Sequence, residues 1–495
     1  MTATAEEPTT VRVMTFNIWV GGEQVDFNQV VNAIEVAGTD IVGLQEAAGN
    51  LDRLANELGW YHLKEVGRHQ QIISRYPLVR GAEDFAYALV DPAHAVAVSD
   101  VHLRAYPYGP YDLRDGATAD EVLANEQYHL DELAAHLELL PELAADDVPV
   151  FLVGDFNVPS HLDWTQAAAD ASDEPFRTEF AWPVSIRLAE LGFRDSFREI
   201  HPDEVAKLGY TWTPGYPPPV VTDDEVHDRI DFVYAAGPST TVDSAVVGEA
   251  HPISDIVVAP WPSDHRAVVS EFAVTPKPVA ALDPAVLTDA AVYDPGEQIV
   301  VDFVGGRSGT RVVVTKAGQG APVCQALTRD ANGVWRAAGQ VVFDDNASGC
   351  RWPLEPGDYV VSLRDQRKVL ATTSFRVRAP SEQSTLELDA GTYVSGDPIT
   401  ATWTNAPGNA TDWVGIYAVG EQPGRVGSRF WQYVGGGQTP SEPVIDGTLT
   451  FSAETPGEGT ASWPPEPRDY VAYLFAEDGY EILAQTPFTV VPAGG

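Results

Sequence analysis

Eight polar side chains stand where apolar runs in the first 275 residues begin or end, and their types suit phosphate chemistry. Each neighbouring run is short and rich in β-branched residues, which is typical of a strand. Single buried carboxylates, amides or imidazoles without partners are costly, so we expect these groups to gather at one sheet edge. They are Asn17, Glu46, His102, Asp155, Asn157, Asp231, Asp264 and His265.

This mixture of side chains fits hydrolysis of a phosphate ester with a hard divalent cation. Carboxylate and amide oxygens are ligands of Mg²⁺, which also binds substrate phosphate. Because the set has no Cys and little His, we expect Mg²⁺, with Mn²⁺ able to substitute, rather than Zn²⁺. Asn side chains can position a water, and imidazoles can stabilise developing charge. One such residue alone is usually a turn, cap or hydrogen-bonded histidine, so the prediction depends on the joint pattern.

The elements that must position these residues form an alternating pattern. Helix-like apolar spacing covers 26–37 and 117–140, and Pro141 is expected to end the second helix. The mixture predicts an α/β domain with layers of sheet and helix. The predicted strands are VRVMTFNI, DIVGLQE, AVAVSDVHL, PVFLVGDFN, RIDFVYA and AVVSEFAV.

The rest of the chain reads as all β and contains a repeat. A Pro- and Ala-rich stretch at 275–286 predicts a linker. The segment with Tyr293 resembles the segment with Tyr393, and 353–377 resembles 464–490. A repeat of about 100 residues with frequent turns predicts two β-sandwich modules in tandem. The predicted boundaries are 11–276 for the α/β domain and 285–379 and 385–492 for the modules.

Charge and composition exclude several classes of protein. The 495 residues include 72 acidic and 30 basic residues, and 1–276 alone hold 46 acidic and 15 basic residues, a net charge of −31. Proteins that bind nucleic acid through a broad face neutralise phosphates with Lys and Arg, so nucleic acid is an unlikely partner here. The sequence contains no run of about 18 apolar residues, so we expect no membrane-spanning helix.

The cysteine count and the first residues bear on the compartment. The sequence has two cysteines, Cys324 and Cys350, which are too few for a disulfide scaffold or a Cys-based zinc site. They could form one disulfide bridge under oxidising conditions. The first ten residues lack the basic and apolar regions of a signal peptide. The localisation is unknown from sequence: we expect a cytoplasmic protein, or a secreted one whose signal peptide has been removed.

The motifs TFN, LQE, DVHL, GDFN, RIDFV and SDH resemble, in order and approximate spacing, those of the endonuclease/exonuclease/phosphatase superfamily. The resemblance covers 11 to about 275 and implies a four-layered α/β sandwich, with two sheets face to face and helices outside. It also implies a metal-dependent hydrolase in which water attacks phosphorus in line. Because the family includes nucleases, sphingomyelinases and small-molecule phosphatases, the resemblance implies the chemistry but not the substrate.

The resemblance also implies a role for each motif residue. Three residues would hold the metal, Glu46 as principal ligand with Asn17 and Asp264 beside it. The remaining five would form the catalytic set: Asp155 orients or deprotonates water, Asn157 holds that water and a phosphoryl oxygen, His265 and His102 contact the phosphate, and Asp231 fixes the tautomer of His265. A carboxylate partner for His102 is expected at Glu83 or Asp84.

Loops after the predicted strands carry residues that could contact the leaving group. Aromatic side chains there could form walls for a nucleoside, choline or glycerol moiety, or could simply pack the loops. An arginine in the same stretch could bind a second anionic group. These candidates for substrate binding are Arg104, Tyr106, Tyr108, Trp164 and Trp212.

The last module contains DWVGIY, which resembles the SKICH-type β-sandwich, a relative of immunoglobulin-like folds. Trp413, Tyr417 and Trp431 are expected to pack in the core of that sandwich. The alternative interpretation makes them a binding face for a membrane lipid, a glycan or a protein.

Three functions remain open at this point. The main interpretation is a hydrolase, a Mg²⁺-dependent phosphodiesterase or phosphatase acting on a small-molecule or lipid-derived phosphate ester, with diesters favoured over monoesters. The first alternative is an endo- or exonuclease. The second is a binding protein whose modules do the work and whose catalytic domain is silent, against which the complete set of eight polar residues speaks.

Overall fold

Two mixed β-sheets lie face to face in the first half of the chain. The structure, a computed structural model, describes residues 8–64, 69–82, 84–330, 332–347, 349–379, 383–409, 411–424, 426–438, 444–457, 462–476 and 479–492. The strands of this half are β1 (Thr9–Asn17), β2 (Ile41–Gln45), β3 (Tyr61–His62), β4 (Ile72–Ser74), β5 (Leu78–Ala82), β6 (Phe85–Asp91), β7 (His94–His102), β8 (Val150–Asp155), β9 (Arg194–Asp195), β10 (Asp231–Ala236), β11 (Ser239–Gly248), β12 (Ile256–Val257), β13 (Ala267–Val274) and β14 (Lys277–Pro278).

Helices cover the outer faces of both sheets. They are α1 (Phe27–Ala37), α2 (Leu51–Leu58), α3 (Gly109–Arg114), α4 (Ala119–Asn125), α5 (Gln127–Glu132), α6 (Ala134–Ala145), α7 (Gln166–Ala171), α8 (Pro183–Glu190) and α9 (Ser196–Ile200), with 3₁₀ turns at Val20–Gly22 and Val279–Ala281. The first sheet has the strand order β12-β11-β13-β1-β2-β4-β3, and α1 and α2 pack on it. The second has the order β5-β6-β7-β8-β10-β9, with β14 on β7, and α4, α6 and α8 pack on it. A third apolar cluster fills the space between the sheets, so the four-layered sandwich is confirmed.

The predicted strands and the first predicted helix are confirmed within about two residues, a difference usual at element ends. The second predicted helix is wrong in its boundaries, because three helices replace it and the last one, α6, runs through Pro141 to Ala145. A proline inside a helix removes the hydrogen bond to the carbonyl four residues earlier, but Leu140 before it and Leu143 and Ala144 after it still pack on the second sheet. Residues 275–286, predicted as a linker, include β14, which pairs with β7.

Strand direction brings the polar strand ends to one edge. The parallel pair β1–β2 and the parallel pair β7–β8 end there with Asn17 and Asp155. The antiparallel strand β10 begins there, with Asp231 directly opposite Asp155. The antiparallel strand β13 also begins beside β1, just after His265. Parallel strands that end at an edge and antiparallel strands that start at it therefore place their terminal residues together.

Two β-sandwiches of the same topology follow. Their strands are β15 (Ala285–Thr288), β16 (Val292–Tyr293), β17 (Ile299–Val304), β18 (Thr310–Lys316), β19 (Pro322–Leu327), β20 (Ala338–Phe343), β21 (Gly357–Asp365) and β22 (Lys368–Val377), then β23 (Thr385–Leu388), β24 (Thr392–Val394), β25 (Ile399–Thr404), β26 (Trp413–Ala418), β27 (Phe430–Tyr433), β28 (Gly447–Phe451), β29 (Asp469–Phe475) and β30 (Ile482–Val491). The sheets β15-β17-β20 and β16-β22-β21-β18-β19 recur as β23-β25-β28 and β24-β30-β29-β26-β27, as the sequence repeat predicted.

Matching hydrogen bonds mark the repeat in detail. The hydroxyl of Tyr293 donates to Asp289, and the hydroxyl of Tyr393 donates to Asp389 at the equivalent place. The first sandwich also holds a disulfide between Cys324 and Cys350. The repeat is therefore one of structure as well as of sequence.

The aromatic residues of the last module do not lie where they were expected. Trp413 and Tyr417 alternate along β26 with residues of the sandwich core, so they lie on the outer face of their sheet. There they form a separate cluster with Tyr433 and Phe475, against which Trp431 packs. The burial expected for Trp413 and Tyr417 is found, but on the outer face of the sheet rather than between the sheets, because side chains alternate between the two faces of a strand.

The first sandwich packs on the edge strand β5 of the second sheet. Buried Val304 and Ala338 join the apolar cluster beneath that sheet. The buried pair Arg80–Asp302, with Nε and Oδ2 3.8 Å apart, and the pair Lys64–Glu297 add contacts between the two parts. None of the described helices is both long and apolar enough to cross a membrane.

Replacing Gly43 with Ala is expected to destabilise the sandwich of sheets. An added methyl carbon would lie 2.3 Å from Cγ2 of Val153 and 2.6 Å from Oδ1 of Asp100, both on the facing sheet. Overpacking of this kind costs about 1–3 kcal/mol. Urea unfolding followed by circular dichroism measures the loss. Gly391→Ala is the control, since its methyl group would meet nothing within 4 Å; equal midpoints for the two variants would contradict the prediction.

Candidate active site

One carboxylate, that of Asp155, lies at the centre of the gathered polar residues. Its Oδ2 accepts a hydrogen bond from Nδ2 of Asn17 at 3.1 Å, which joins the two sheets. The same oxygen lies 3.6 Å from Nε2 of His102 and 3.7 Å from Nε2 of His265. Its Oδ1 accepts the backbone N–H of Asn157 at 3.0 Å. Asp155 is fully buried, so this ring of donors is what makes its charge tolerable.

His265 is held between two carboxylates. Its Nδ1 lies 3.0 Å from Oδ2 of Asp231, and its Nε2 points toward Asp155. The ring of Trp212 packs beside the imidazole, with centroids 4.8 Å apart. Ser263 fixes the backbone, because its Oγ accepts the N–H of His265 at 3.1 Å and donates to the carbonyl of Asn17 at 2.6 Å.

Glu46 and Asn17 form the other end of the site. Nδ2 of Asn17 lies 3.2 Å from Oε1 of Glu46, and the N–H of Val20 donates to Oε2 of Glu46 at 2.8 Å. Glu46 has a φ of 60°, a left-handed conformation that is unfavourable for a residue with a side chain. The N–H of Gly21 donates to the carbonyl of Glu46 and helps to hold that conformation. Such strain, maintained by neighbours, is typical of functional sites.

Asn157 and His102 complete the group, each with an additional contact. Nδ2 of Asn157 donates to the carbonyl of Leu103 at 2.9 Å, which orients its amide. The backbone N–H of His102 donates to Nδ1 of His69 at 3.0 Å. The structure has Asp84 beside another imidazole, with Oδ1 4.0 Å from Nε2 of His136. Glu83, the other partner expected for His102, lies outside the described residues.

Burial and mutual repulsion shift the pKa values of this cluster. Burial raises the pKa of Asp155, and the charge of His265 opposes that shift only in part. Burial also raises the pKa of Asp264, and Glu46 adds to the effect. For His265 burial alone would lower the pKa, but Asp231 and Asp155 outweigh it and raise the value to about 10. The imidazole is therefore a cation at neutral pH, and the carboxylates around it exceed its single positive charge.

The donor set fits a hard divalent cation. Glu46 and Asp264 are carboxylates close enough for Glu46 to raise the pKa of Asp264, and carboxylate oxygens are the ligand type that Mg²⁺ and Mn²⁺ prefer. Nδ2 of Asn17 faces Glu46, while its Oδ1 accepts the N–H of Trp19 at 3.0 Å. Ligand atoms of Asp155, Asp231 and His265 also lie within 4.8 Å of one another, and Oδ1 of Asp231 is buried without a hydrogen bond in the described part of the chain. An excess of buried negative charge at both groups is what a bound cation would compensate.

Residues 14–265, slightly more than half of the chain, match the model of the Endonuclease/Exonuclease/phosphatase family. The chain belongs to this family. Its members are metal-dependent hydrolases, nucleases and phosphatases among them. The match ends at His265, so the two β-sandwiches lie outside it.

Individual proteins resemble the same half. An uncharacterized protein of Caenorhabditis elegans is 29% identical over 294 residues, 53% of this chain and 91% of its own length. An AP endonuclease from Archaeoglobus fulgidus is 20% identical, with a TM-score of 0.36, over 52% of this chain and 98% of that one. Truncated Caenorhabditis elegans TDP2 is 18% identical, with a TM-score of 0.34, over 54% of this chain and 98% of that one. The family assignment rests on the family match alone.

Three of the five residues expected to bind substrate lie at the cleft or beside His265, and the other two are buried inside the domain. Tyr106 is 57% exposed and, with Arg104, lines a cleft that reaches Glu46 and His102. Trp212 is partly buried against the imidazole of His265. Tyr108 and Trp164 are buried, and both donate to the carboxylate of Asp228 inside the domain. We therefore leave these two rings out of the proposed substrate site.

Sequence reasoning missed a buried polar chain beneath the site. Oγ1 of Thr15 donates to Oε1 of Gln45, and Nε2 of Gln45 donates to Oδ1 of Asp100 at 2.6 Å, across the two sheets. Burial raises the pKa of Asp100 well above its usual range. The sequence signal was present, because Gln45 and Asp100 interrupt apolar strands one residue before Glu46 and two before His102.

Adding Mn²⁺ is expected to raise the Tm of the protein, and Glu46→Gln is expected to remove most of that rise. A cation that binds only the folded state adds about 2.7 kcal/mol at a hundred times its Kd. The variant keeps the shape of the side chain but loses a charge from the proposed site. Differential scanning fluorimetry with and without Mn²⁺ measures the shift. Glu271→Gln, which affects a surface ion pair with Arg12, should keep it; an undiminished rise in Glu46→Gln would contradict the assignment.

Proposed function

We propose that the protein is a divalent-metal-dependent phosphoesterase that hydrolyses a phosphate ester of a small molecule or lipid-derived substrate, with diesters favoured over monoesters. The observation that carries the proposal is the set of contacts around one buried carboxylate. Asn17, His102 and His265 come from different strands of two sheets, yet all approach Oδ2 of Asp155 within 3.7 Å. A structural role for one polar residue is common, but a largely buried cluster of this kind, with His102 partly exposed to a cleft, is typical of a catalytic centre.

Asp155 and Asn157 are proposed to prepare the attacking water. One oxygen of Asp155 accepts the backbone N–H of Asn157 and the other accepts Nδ2 of Asn17, and these two hydrogen bonds fix the direction of the carboxylate. A fixed carboxylate can orient a water and accept its proton as the oxygen–phosphorus bond forms. The amide of Asn157, held by the carbonyl of Leu103, has a second N–H available for the water or a phosphoryl oxygen.

His265 and His102 are proposed to stabilise the charge that develops on the phosphoryl oxygens. Asp231 holds the proton on Nδ1 of His265, and its carboxylate keeps the imidazole positively charged. Nε2 of His265 then carries a proton that can be donated to a phosphoryl oxygen or to the leaving group. Donors placed in advance at that position supply most of the rate in reactions of this type.

The cation itself would be held by Glu46 with Asn17 and Asp264. When bound, it supplies a positive charge that polarises the phosphoryl group and offsets charge on the departing oxygen. The residues of the chain keep that end of the site acidic and oriented, through the hydrogen bonds from Val20 and Asn17 to Glu46.

Charge favours small esters over nucleic acid as substrates. The net charge of −31 on residues 1–276 repels a polyanion, and long-range repulsion of this kind slows association. An endo- or exonuclease is the alternative within the same chemistry. Incubation of single- and double-stranded DNA and RNA with the protein and Mg²⁺ or Mn²⁺ tests it, and rapid degradation would favour that alternative.

The His265→Ala variant is expected to lose turnover while it remains folded. With Mg²⁺ or Mn²⁺, the unmodified protein should hydrolyse bis-p-nitrophenyl phosphate faster than p-nitrophenyl phosphate, and EDTA should stop both reactions. Loss of a donor to the developing charge costs about 100- to 1000-fold in kcat. Release of nitrophenolate measures the rate, and circular dichroism checks the fold. His251→Ala, at an exposed position, is the control; normal activity of His265→Ala would overturn its role.

The Asp231→Asn variant is expected to lower kcat with a smaller effect on KM. The amide keeps the size of the side chain but no longer holds the proton on Nδ1 of His265, so the imidazole is both misoriented and less positive. A loss of about 100-fold or more is expected from the corresponding change in other catalytic carboxylate–imidazole pairs. Steady-state kinetics on the diester measure both constants. A rise in KM alone would indicate a role in binding rather than in positioning the imidazole.

A further inference from the structure

The last β-sandwich forms part of the cleft that leads to the candidate active site. A cavity of about 790 Å³ runs from Glu46 and His102, past Arg104, to the outer face of the five-stranded sheet of that module. Its far side is lined by Trp413, Trp431 and the neighbouring loops. Cavities of this volume, lined by aromatic side chains and a few polar groups, are typical of small-molecule sites.

The aromatic character of this face is specific to the last module. Strand pairing makes β18 and β26 equivalent, since Lys316 opposes Tyr359 in one module and Ala418 opposes Tyr470 in the other. By the same register, the outward positions of the two modules form four pairs: Arg311 with Trp413, Val313 with Gly415, Thr315 with Tyr417, and Gln325 with Trp431. The fold therefore does not need aromatic residues at these positions, because the first module has the same topology without them.

Gly415 keeps this aromatic face dense. A methyl group at Gly415 would lie 2.5 Å from a ring carbon of Trp413 and 3.2 Å from one of Tyr417. The equivalent Val313 has Arg311 and Thr315 as its neighbours on the same face of the strand. The absence of a side chain lets these two rings lie close together over the strand, where both are buried and support the partly exposed ring of Trp431.

Arg104 connects the catalytic domain with this surface. Its guanidinium lies between the rings of Tyr128 and Trp431, 5.1 and 5.5 Å from their centroids. Its Nε is buried and makes no hydrogen bond in the described part of the chain. The one ion pair of its side chain found among the described residues is a long one, 3.9 Å to Oε1 of Glu132. The side chain as a whole is 16% exposed, so its terminal N–H groups, rather than the buried Nε, are the donors that a substrate oxygen can reach.

We propose that the outer face of β26 and β27 is the specificity wall of the active site, and that it binds a planar aromatic ring in the organic part of the phosphate ester, with Arg104 donating to an oxygen of the same group. The occupant is a nucleoside-like ester of low molecular weight. The inference rests on the proposed function, since it places the organic group of the same substrate. The planar ring of the substrate would stack on the ring of Trp431, which Arg104 already orients.

Charge and shape distinguish a nucleoside from choline and glycerol, the other organic groups considered for the substrate. A guanidinium at the wall disfavours a cationic group such as choline, which would bring two positive charges together. A glycerol moiety has no ring to stack on the aromatic surface. A nucleoside combines a flat ring with oxygen acceptors, and so fits both features of the wall.

Two chromogenic diesters that share one leaving group test the proposal. They are the p-nitrophenyl ester of thymidine monophosphate and p-nitrophenyl phosphorylcholine, each assayed with Mn²⁺. The unmodified protein should prefer the thymidine ester. Trp431→Gln, which introduces the residue found at the equivalent position of the first module, should lower kcat/KM for the thymidine ester about tenfold, or about 1.4 kcal/mol. The same variant should lower kcat/KM for the choline ester much less, because the only ring of that ester is the nitrophenyl group that both esters share.

Three further variants complete the comparison. Trp431→Phe keeps a ring and should retain most of the preference for thymidine. Arg104→Gln should raise KM for the thymidine ester, because the donor to the substrate oxygen is lost. Gln325→Ala, at the equivalent position of the first module, is the control and should behave like the unmodified protein. Isothermal titration with thymidine monophosphate gives a readout that does not depend on turnover.

The outcomes separate this proposal from the proposed function. Equal turnover of the two esters, unaffected by Trp431→Gln, would overturn the wall and leave the phosphoesterase standing. No turnover of either ester, with thymidine monophosphate binding that Trp431→Gln weakens, would support the wall and overturn the phosphoesterase. The absence of both turnover and binding would overturn the wall and the phosphoesterase together.

Discussion

The buried carboxylate of Asp155 is the constraint on which the rest of the structure depends. A charge with no exposure to water must be surrounded by donors, and the donors here come from both sheets of the sandwich. Asn17 reaches it from the first sheet, and His102 reaches it from the second. The two sheets can therefore pack in only one relative position if Asp155 is to keep its partners. The polar chain from Gln45 to Asp100 reinforces that position one layer deeper.

Division of roles within the cluster follows from its electrostatics. Asp231 and Asp155 keep His265 protonated, so one end of the site is a cation ready to meet a phosphoryl oxygen. At the other end burial raises the pKa of Asp264, the charge of His265 opposes that shift only in part, and Glu46 adds to it. A divalent ion at that end and a phosphate between the two ends would balance both charges.

Much of this arrangement is predictable from the amino-acid sequence, and the reason is local. Strand ends are marked by apolar runs, and a polar residue at such an end points to an edge, so the sequence alone places Asn17, Asp155 and Asp231 together. The interruption of a helix is a weaker signal, and Pro141 lies inside α6 because tertiary packing outweighs its local effect. The side of a sheet on which Trp413 and Tyr417 lie depends on strand register, which the sequence does not define.

The duplicated sandwiches show how one fold can be adapted to two uses. Both modules keep the same strand order and the same tyrosine hydrogen bonds, so these features belong to the fold. Their outer faces differ, with Gln325 in the first where Trp431 stands in the second. The second face lies along the cleft that contains Arg104 and His102, to which the first module contributes Asp289, Val292 and Arg378 rather than its outer strand positions. The proposed catalytic groups thus come from the α/β domain, and the proposed selectivity comes from a module outside the family match.

The position of a bound metal ion tests the central claim most directly. Anomalous diffraction from crystals soaked in Mn²⁺ locates the ion without reference to activity. We predict a peak bound by the carboxylate oxygens of Glu46, near Asn17 and Asp264, with His265 still hydrogen-bonded to Asp231. A peak bound instead by His265 and Asp231 would contradict this assignment, because the imidazole would then be a metal ligand and could not donate a proton to the phosphate.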